Sequence, residues 1–152
     1  EYEDNKKNSI GIPKDNKFEM KHAILGGGGF MATNSMLFLR EHINERPEWM
    51  NRAPVGDGPL MLLLASKGKM GYIDDVMSVY RVMSSSTSWS ASMQNCSRRK
   101  IHHYAILEMW SDFDKWTSYK YHKYVIRKKN KNKWNHFKGE LKYYIKNLRN
   151  PS

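Results

Sequence analysis

The chain has 152 residues, of which 39% are hydrophobic and five are tryptophan, and its formal net charge is +11. This content of apolar and aromatic residues excludes a disordered chain and is sufficient for the core of one domain. A single cysteine, Cys96, excludes an internal disulfide and favours a reducing compartment. No apolar run within the sequence is long enough to span a bilayer.

The excess positive charge is confined to the C-terminal third of the chain. Residues 1–97 contain 11 Lys and Arg and 11 Asp and Glu, whereas residues 98–152 contain 15 basic and 4 acidic residues. Such a break in charge balance indicates a change of domain. We therefore predict two parts, the first covering residues 1–93 and the second, a basic helical extension, covering residues 94–152.

The first predicted elements surround a run of four glycines. Residues 4–17 predict a polar loop, residues 18–25 a short helix and residues 30–39 a strand. The glycines at 26–29 either let a ligand approach the main chain closely or serve as a flexible connector. No Lys-Ser or Lys-Thr follows them, which excludes a P-loop. Thr33 is either a sugar-binding hydroxyl or an ordinary polar strand residue.

The middle of the chain predicts a helix followed by two strands. Asp57 suits a helix N-cap, Pro59 a first helical turn and Gly68 a helix stop. The apolar run between them is typical of a buried helix. Residues 69–75 and 76–82 are rich in β-branched and aromatic side chains around an Asp-Asp turn, and they predict a pair of strands.

From Ala91 onward, apolar residues recur at helical spacing among basic ones. The pair Phe113–Asp114 predicts a break between two helices, the second of which would end near Arg127. Residues 128–133 predict a basic turn, and residues 134–148 predict a last amphipathic helix.

Residues in the middle of the chain match the motif of a known enzyme family in both order and spacing. They are Asp57, Leu60, Ala65, Gly68, Lys69, Tyr72, Asp74, Val76, Met77, Val79, Tyr80, Arg81, Trp89 and Ser90. In this pattern the chain resembles the bacterial family 2 glycosyltransferases, over roughly residues 18–125. The resemblance implies an α/β fold: a partial GT-A (Rossmann-like) domain without its N-terminal nucleotide-binding half, followed by an α-helical C-terminal extension.

The resemblance also implies that the chain is the C-terminal half of a longer enzyme and is inactive alone. The family's metal-binding Asp-x-Asp motif lies in the nucleotide-binding half. Here that spacing occurs only at 112–114, where we interpret Asp112 and Asp114 as solvated helix carboxylates. A divalent metal, Mg²⁺ or Mn²⁺, is expected in the full-length enzyme, with ligands outside this chain. Met83 stands where the family commonly has a histidine, and a thioether is a poor ligand for hard cations.

Individual roles follow from the same resemblance. Asp57 aligns with the catalytic base, which takes a proton from the acceptor hydroxyl; judged from local pattern alone, it is a helix cap. Arg81 aligns with a residue that faces the donor diphosphate, and an ion pair with Asp74 or Asp75 is the alternative. The implied substrate-binding residues are Gly28, Gly29, Thr33, Arg81 and Trp89.

These inferences predict part of an inverting glycosyltransferase of the hexosyltransferase type. It would move a sugar from a nucleotide-sugar donor to a glycan or lipid-linked acceptor in cell-surface polysaccharide synthesis. We expect it in the cytoplasm, peripheral on the inner face of the membrane, because a basic aromatic tail suits an anionic lipid surface.

Two other classes of function stay open. One is a non-catalytic fragment or pseudoenzyme, favoured by Met83 and by the missing Asp-x-Asp motif. The other is a basic module that binds a membrane or a nucleic acid. The neutral first 97 residues and the lack of an RNA-binding motif argue against nucleic acid. A solvated basic surface is the plain alternative for the tail.

Overall fold

The computed structural model describes the residues 17–27, 31, 33–73, 75, 93 and 95–149. The chain divides into two compact units, residues 1–82 and residues 83–152. Each unit has helices and buried apolar side chains of its own.

In the first unit, short strands and helices alternate with irregular segments. Its described elements are β1 (Lys17–Phe18), α1 (Met20–Gly26), 3-10 helices at Thr33–Ser35 and Arg40–Ile43, α2 (Glu48–Asn51), α3 (Asp57–Lys67) and β2 (Met70–Gly71). Strands β1 and β2 pair antiparallel, with Lys17 opposite Gly71 and Phe18 opposite Met70. The pairing brings the start of α1 close to the end of α3.

The core of this unit lies where α1 packs against α3. Ala23 and Ile24 of α1 are fully buried, as are Met61, Leu62 and Leu63 of α3. Three consecutive buried residues cover more than half of a helix circumference, because each residue advances the helix by about 100°. Helix α3 is therefore enclosed on most sides, which is the environment its apolar run predicts.

The two helices predicted around this core are confirmed. The helix predicted at residues 18–25 is α1, which spans Met20–Gly26 because Phe18 lies in β1. The segment after Gly56 forms α3, with Gly68 directly after its last residue. One detail of α3 differs from the prediction. Gly56 occupies the N-cap position, and Asp57 is the first helical residue.

The second unit contains two long helices joined by a short turn. Helix α4 (Cys96–Trp116) begins after Asn95, whose side chain accepts a hydrogen bond from the main-chain N–H of Arg98 at 3.0 Å. Helix α5 (His122–Arg149) returns antiparallel along α4. The buried side chains among the described residues of this unit are Met109, Trp110, Phe113 and Asp114 on α4 and Val125 on α5.

The predicted fold class is wrong. In place of an α/β, Rossmann-like GT-A sheet, the described residues form helices and one antiparallel sheet of two strands, each two residues long. The strand predicted at residues 30–39 is also wrong, because Thr33–Ser35 form a 3-10 helix there. Leu37 and Leu39 are exposed, so burial of these side chains does not stabilise an extended conformation in this segment.

The strand pairing differs as well. Residues 70–71 pair with β1, in a segment for which no strand was predicted, whereas the predicted partner, residues 76–82, lies outside the described residues. Strand patterns specify a half-buried surface but not the neighbour that completes it.

The predicted helix boundaries in the second unit are also wrong. Helix α4 continues through Phe113 and Asp114, and the break falls at residues 117–121. Residues 128–133, predicted as a turn, lie inside α5. Lys and Arg are good helix formers, so a run of basic residues does not end a helix that packs on a neighbour.

None of the helices in the described part of the chain has both the length and the apolar character needed to cross a membrane.

Candidate functional site

Asp57 lies in the first turn of α3, where it is half-buried beside the buried Gly58 and Pro59. Its Oδ1 accepts a hydrogen bond from the main-chain N–H of Gly58 at 2.7 Å. Carboxylates are favoured in this position, because the unpaired N–H groups and the dipole of a helix N-terminus attract negative charge. The backbone of α3 therefore fixes one oxygen of the carboxylate.

The other carboxylate oxygen of Asp57 is the candidate proton acceptor. Within the described ranges, the bond from Gly58 is the one hydrogen bond to this carboxylate, and no described cation pairs with it. A half-buried carboxylate with one oxygen held and one oxygen available can accept a proton from a bound hydroxyl group.

The structure describes one other residue of the predicted site. Thr33 is exposed in the 3-10 helix Thr33–Ser35, so it is not a residue of the predicted strand. The remaining predicted substrate-binding residues lie outside the described residues; they are Gly28, Gly29, Arg81 and Trp89.

A second candidate site is the outer surface of α5. Five large apolar side chains recur there at intervals of three and four residues, and we call them the α5 stripe: Trp134, Phe137, Leu141, Tyr144 and Leu148, which are 58%, 55%, 47%, 63% and 64% exposed. The Trp134 and Phe137 rings stack with centroids 5.7 Å apart, and the Lys138 ammonium lies 5.6 Å from the Trp134 ring. The sequence predicted an amphipathic helix at residues 134–148 but not which of its faces α4 leaves exposed.

Another face of α5 is occupied by α4. The rings of His103 and His136 stack with centroids 3.9 Å apart, and the guanidinium of Arg99 lies 5.7 Å from the centre of the Tyr143 ring. Desolvation lowers the pKa of His103, and the nearby charges of His136, His102 and Lys133 lower it further. The neutral form of the His103 ring is therefore favoured in its stack with His136.

Glu140 forms ion pairs with α4 on the face of α5 that α4 covers. Its carboxylate lies 3.3 Å from Lys100, 4.0 Å from Arg99 and 3.7 Å from the Sγ of Cys96. Desolvation raises the pKa of Glu140, but the hydrogen bond and charge of Lys100, with the charges of His136 and Arg99, outweigh it, and the net pKa lies below the ordinary value. The only acidic residue of α5 therefore faces α4.

At the turn, a buried carboxylate meets a histidine. Oδ2 of Asp114 lies 2.6 Å from Nδ1 of His122, and Asp114 is 5% exposed. The interpretation of Asp114 as a solvated helix carboxylate is therefore wrong. Further from the turn, the Lys129 ammonium donates a 2.7 Å hydrogen bond to Ser111. These contacts join α4 to α5 and have a structural role.

The described residues contain no group of three or more His, Cys, Asp or Glu side chains that could hold a metal ion. Because the resemblance implies metal ligands outside this chain, the expectation of a divalent metal stays a prediction.

Comparisons with protein-family models, with curated proteins and with solved structures found no match to this chain.

Proposed function

We propose that this chain supplies the acceptor side of an inverting glycosyltransferase, with Asp57 as the general base. The position of Asp57 carries the proposal: a half-buried carboxylate in the first turn of a buried helix, with one oxygen held by the N–H of Gly58. The motif that begins at Asp57 and continues through Gly68, Lys69 and Tyr72 supports the same role. The proposal depends on this motif and this carboxylate, and it requires no Rossmann-like sheet in the described residues.

In the proposed reaction, an acceptor hydroxyl attacks the anomeric carbon of a nucleotide sugar while Asp57 removes the hydroxyl proton. The bond from the anomeric carbon to the diphosphate breaks, and the nucleoside diphosphate leaves from the opposite face of the sugar. Charge on the leaving group needs a cation, and we assign Arg81 to that contact. The acceptor would be a glycan or a lipid-linked sugar, and the reaction would occur on the cytoplasmic side of the membrane.

The test is to replace the carboxylate in the protein expressed from its complete gene and to measure sugar transfer from a panel of nucleotide sugars. Asp57→Asn keeps the shape of the side chain and removes its basicity. We expect turnover to fall about 100-fold or more, because a positioned general base contributes roughly that factor. Donor affinity, measured by calorimetry, should stay within about threefold of the original.

Glu41→Gln is the matched control, because Glu41 is an exposed carboxylate in the first turn of the 3-10 helix at Arg40–Ile43, in the same unit. It should leave turnover unchanged. Near-normal turnover of Asp57→Asn would reduce Asp57 to a residue that stabilises α3. Absence of transfer with every nucleotide sugar in the original protein would instead favour the pseudoenzyme.

A further inference from the structure

We propose that the α5 stripe is a docking surface for an anionic lipid bilayer, on which α5 lies parallel to the membrane plane. This proposal is independent of the proposed transferase activity. It depends on which face of α5 is apolar, which face is occupied by α4 and where the positive charge lies.

The stripe is a separate face of the helix. The residues of α5 that contact α4 include Lys129, His136, Glu140 and Tyr143. At about 100° per residue, these positions share one side of α5, and the stripe is centred roughly 120° away from them. Among the described residues of the second unit, packing of the hairpin therefore leaves the stripe exposed.

The composition of the stripe fits the boundary between water and lipid. It combines one Trp, one Phe and one Tyr with two Leu, and each side chain is about half exposed or more. Aromatic side chains favour the headgroup level, and aliphatic ones favour the acyl boundary below it. A nucleic acid would provide stacking partners for the aromatic rings but no apolar surface for Leu141 and Leu148.

The charge around the stripe identifies the kind of membrane. Helix α5 contains ten Lys and Arg and one acidic residue, Glu140, which pairs with Lys100 and Arg99 of α4. On the helical wheel, Arg127, Lys131 and Lys138 fall along one edge of the stripe. A second copy of the chain would bring the same positive charge against this surface, whereas anionic headgroups complement it.

Binding is tested with the whole 152-residue chain and sedimented vesicles, either pure phosphatidylcholine or phosphatidylcholine with about one third phosphatidylglycerol. We expect at least tenfold more protein to pellet with the anionic vesicles at about 0.05 M salt. Most of this binding should be lost at about 0.5 M salt, where the Debye length falls to a few ångströms. Equal pelleting with both lipids would overturn the proposal.

The contribution of the stripe is tested by substitution. Leu141→Ser should lower binding to anionic vesicles about tenfold, and Leu37→Ser, at a fully exposed leucine of the first unit, should not change it. Circular dichroism of each variant verifies that the helices remain. Equal binding of the two variants would show that charge alone attracts the chain, and the stripe would then not be the docking surface.

Fluorescence provides a second readout. Anionic vesicles should shift the tryptophan emission to shorter wavelength, and Trp134→Phe should remove most of that shift. Light scattering without lipid addresses the alternative occupant of the stripe. A dimer that Leu141→Ser converts to a monomer would identify the stripe as an interface between copies and would overturn the lipid proposal.

Discussion

The carboxylate of Asp114 lies 2.6 Å from the imidazole of His122, on opposite sides of the turn that joins α4 to α5. The side chain of Asp114 is 7% exposed and that of His122 is 55% exposed, so the histidine shields a buried charge from one side. Oδ1 of the same carboxylate is buried and has no hydrogen-bond partner among the described residues. His122 is therefore the main compensation for this charge.

Removing the imidazole should destabilise the hairpin. We expect His122→Ala to cost about 1–3 kcal/mol of unfolding free energy, because it leaves a buried carboxylate uncompensated. His42→Ala, at a histidine 4.0 Å from an exposed glutamate, should cost under about 0.5 kcal/mol. Chemical unfolding followed by circular dichroism measures both. Adding Asp114→Leu to His122→Ala should recover part of the loss; a further loss would contradict the burial argument.

The turn stores backbone strain. Ser118 and Tyr119 have φ angles of 50° and 61°, in the left-handed region that costs non-glycine residues about 1–2 kcal/mol. We expect Ser118→Gly to stabilise the protein by about 0.5–1 kcal/mol after the entropy of glycine in the unfolded chain is subtracted. Ser97→Gly, in the first turn of α4 where φ is not positive, should give no such gain. A lower melting temperature for Ser118→Gly would argue against strain at this position.

Lys128 predicts a dependence of stability on pH. Desolvation, with a smaller contribution from Lys131, lowers its pKa to about 8. Because the unfolded chain keeps the ordinary pKa near 10.5, it binds more protons than the folded chain between pH 8 and 10.5, and the contribution of Lys128 to stability rises with pH across that window.

Replacing the ammonium group should remove this effect. At pH 7 we expect Lys128→Met to stabilise the chain by about 1 kcal/mol, a figure reduced for solvent screening at a half-buried side chain. The gain should shrink toward pH 10.5. Lys142→Met, at an exposed position of α5, should show no such trend. Melting temperatures at several pH values test both variants, and a gain independent of pH would exclude Lys128 as the cause.

The contact between α1 and α3 holds the first unit together. Leu62 of α3 is 1% exposed, so Leu62→Ala should cost about 2–5 kcal/mol through lost burial and the cavity that remains. Leu64→Ala, at a half-buried position of the same helix, should cost roughly half as much unfolding free energy. Urea unfolding compares the two. Similar losses at both positions would mean that α3 is not enclosed as described.

Local signals in the sequence were sufficient to predict α3. Pro59 in the first turn, a continuous apolar run and Gly68 at the end act within one helix, and they predict both its place and its burial. The position of Asp57 in the first turn of this helix was accessible for the same reason, although its neighbour Gly56 is the cap. Its proposed role as a base depends on this position together with the motif that the family resemblance matches.

Contacts between residues distant in the sequence determined features that the local pattern could not predict. Residues 30–39 carry a strand pattern, but among the described residues no strand pairs with this segment, and Leu37 and Leu39 are exposed. Likewise, the aromatic residues of the tail could be seen in the sequence, but the stripe that they form depends on the face of α5 that α4 covers.

The sequence by itself determined the places of α1 and α3 and the concentration of positive charge at the C-terminal end, because helix propensity, capping and net charge are properties of neighbouring residues. Only the tertiary structure decided that Asp114 is buried against His122 and that Glu140 faces α4. Both depend on the antiparallel packing of two helices, which brings together side chains 8 to 44 residues apart in the chain. Burial and pairing of charges are set by that packing.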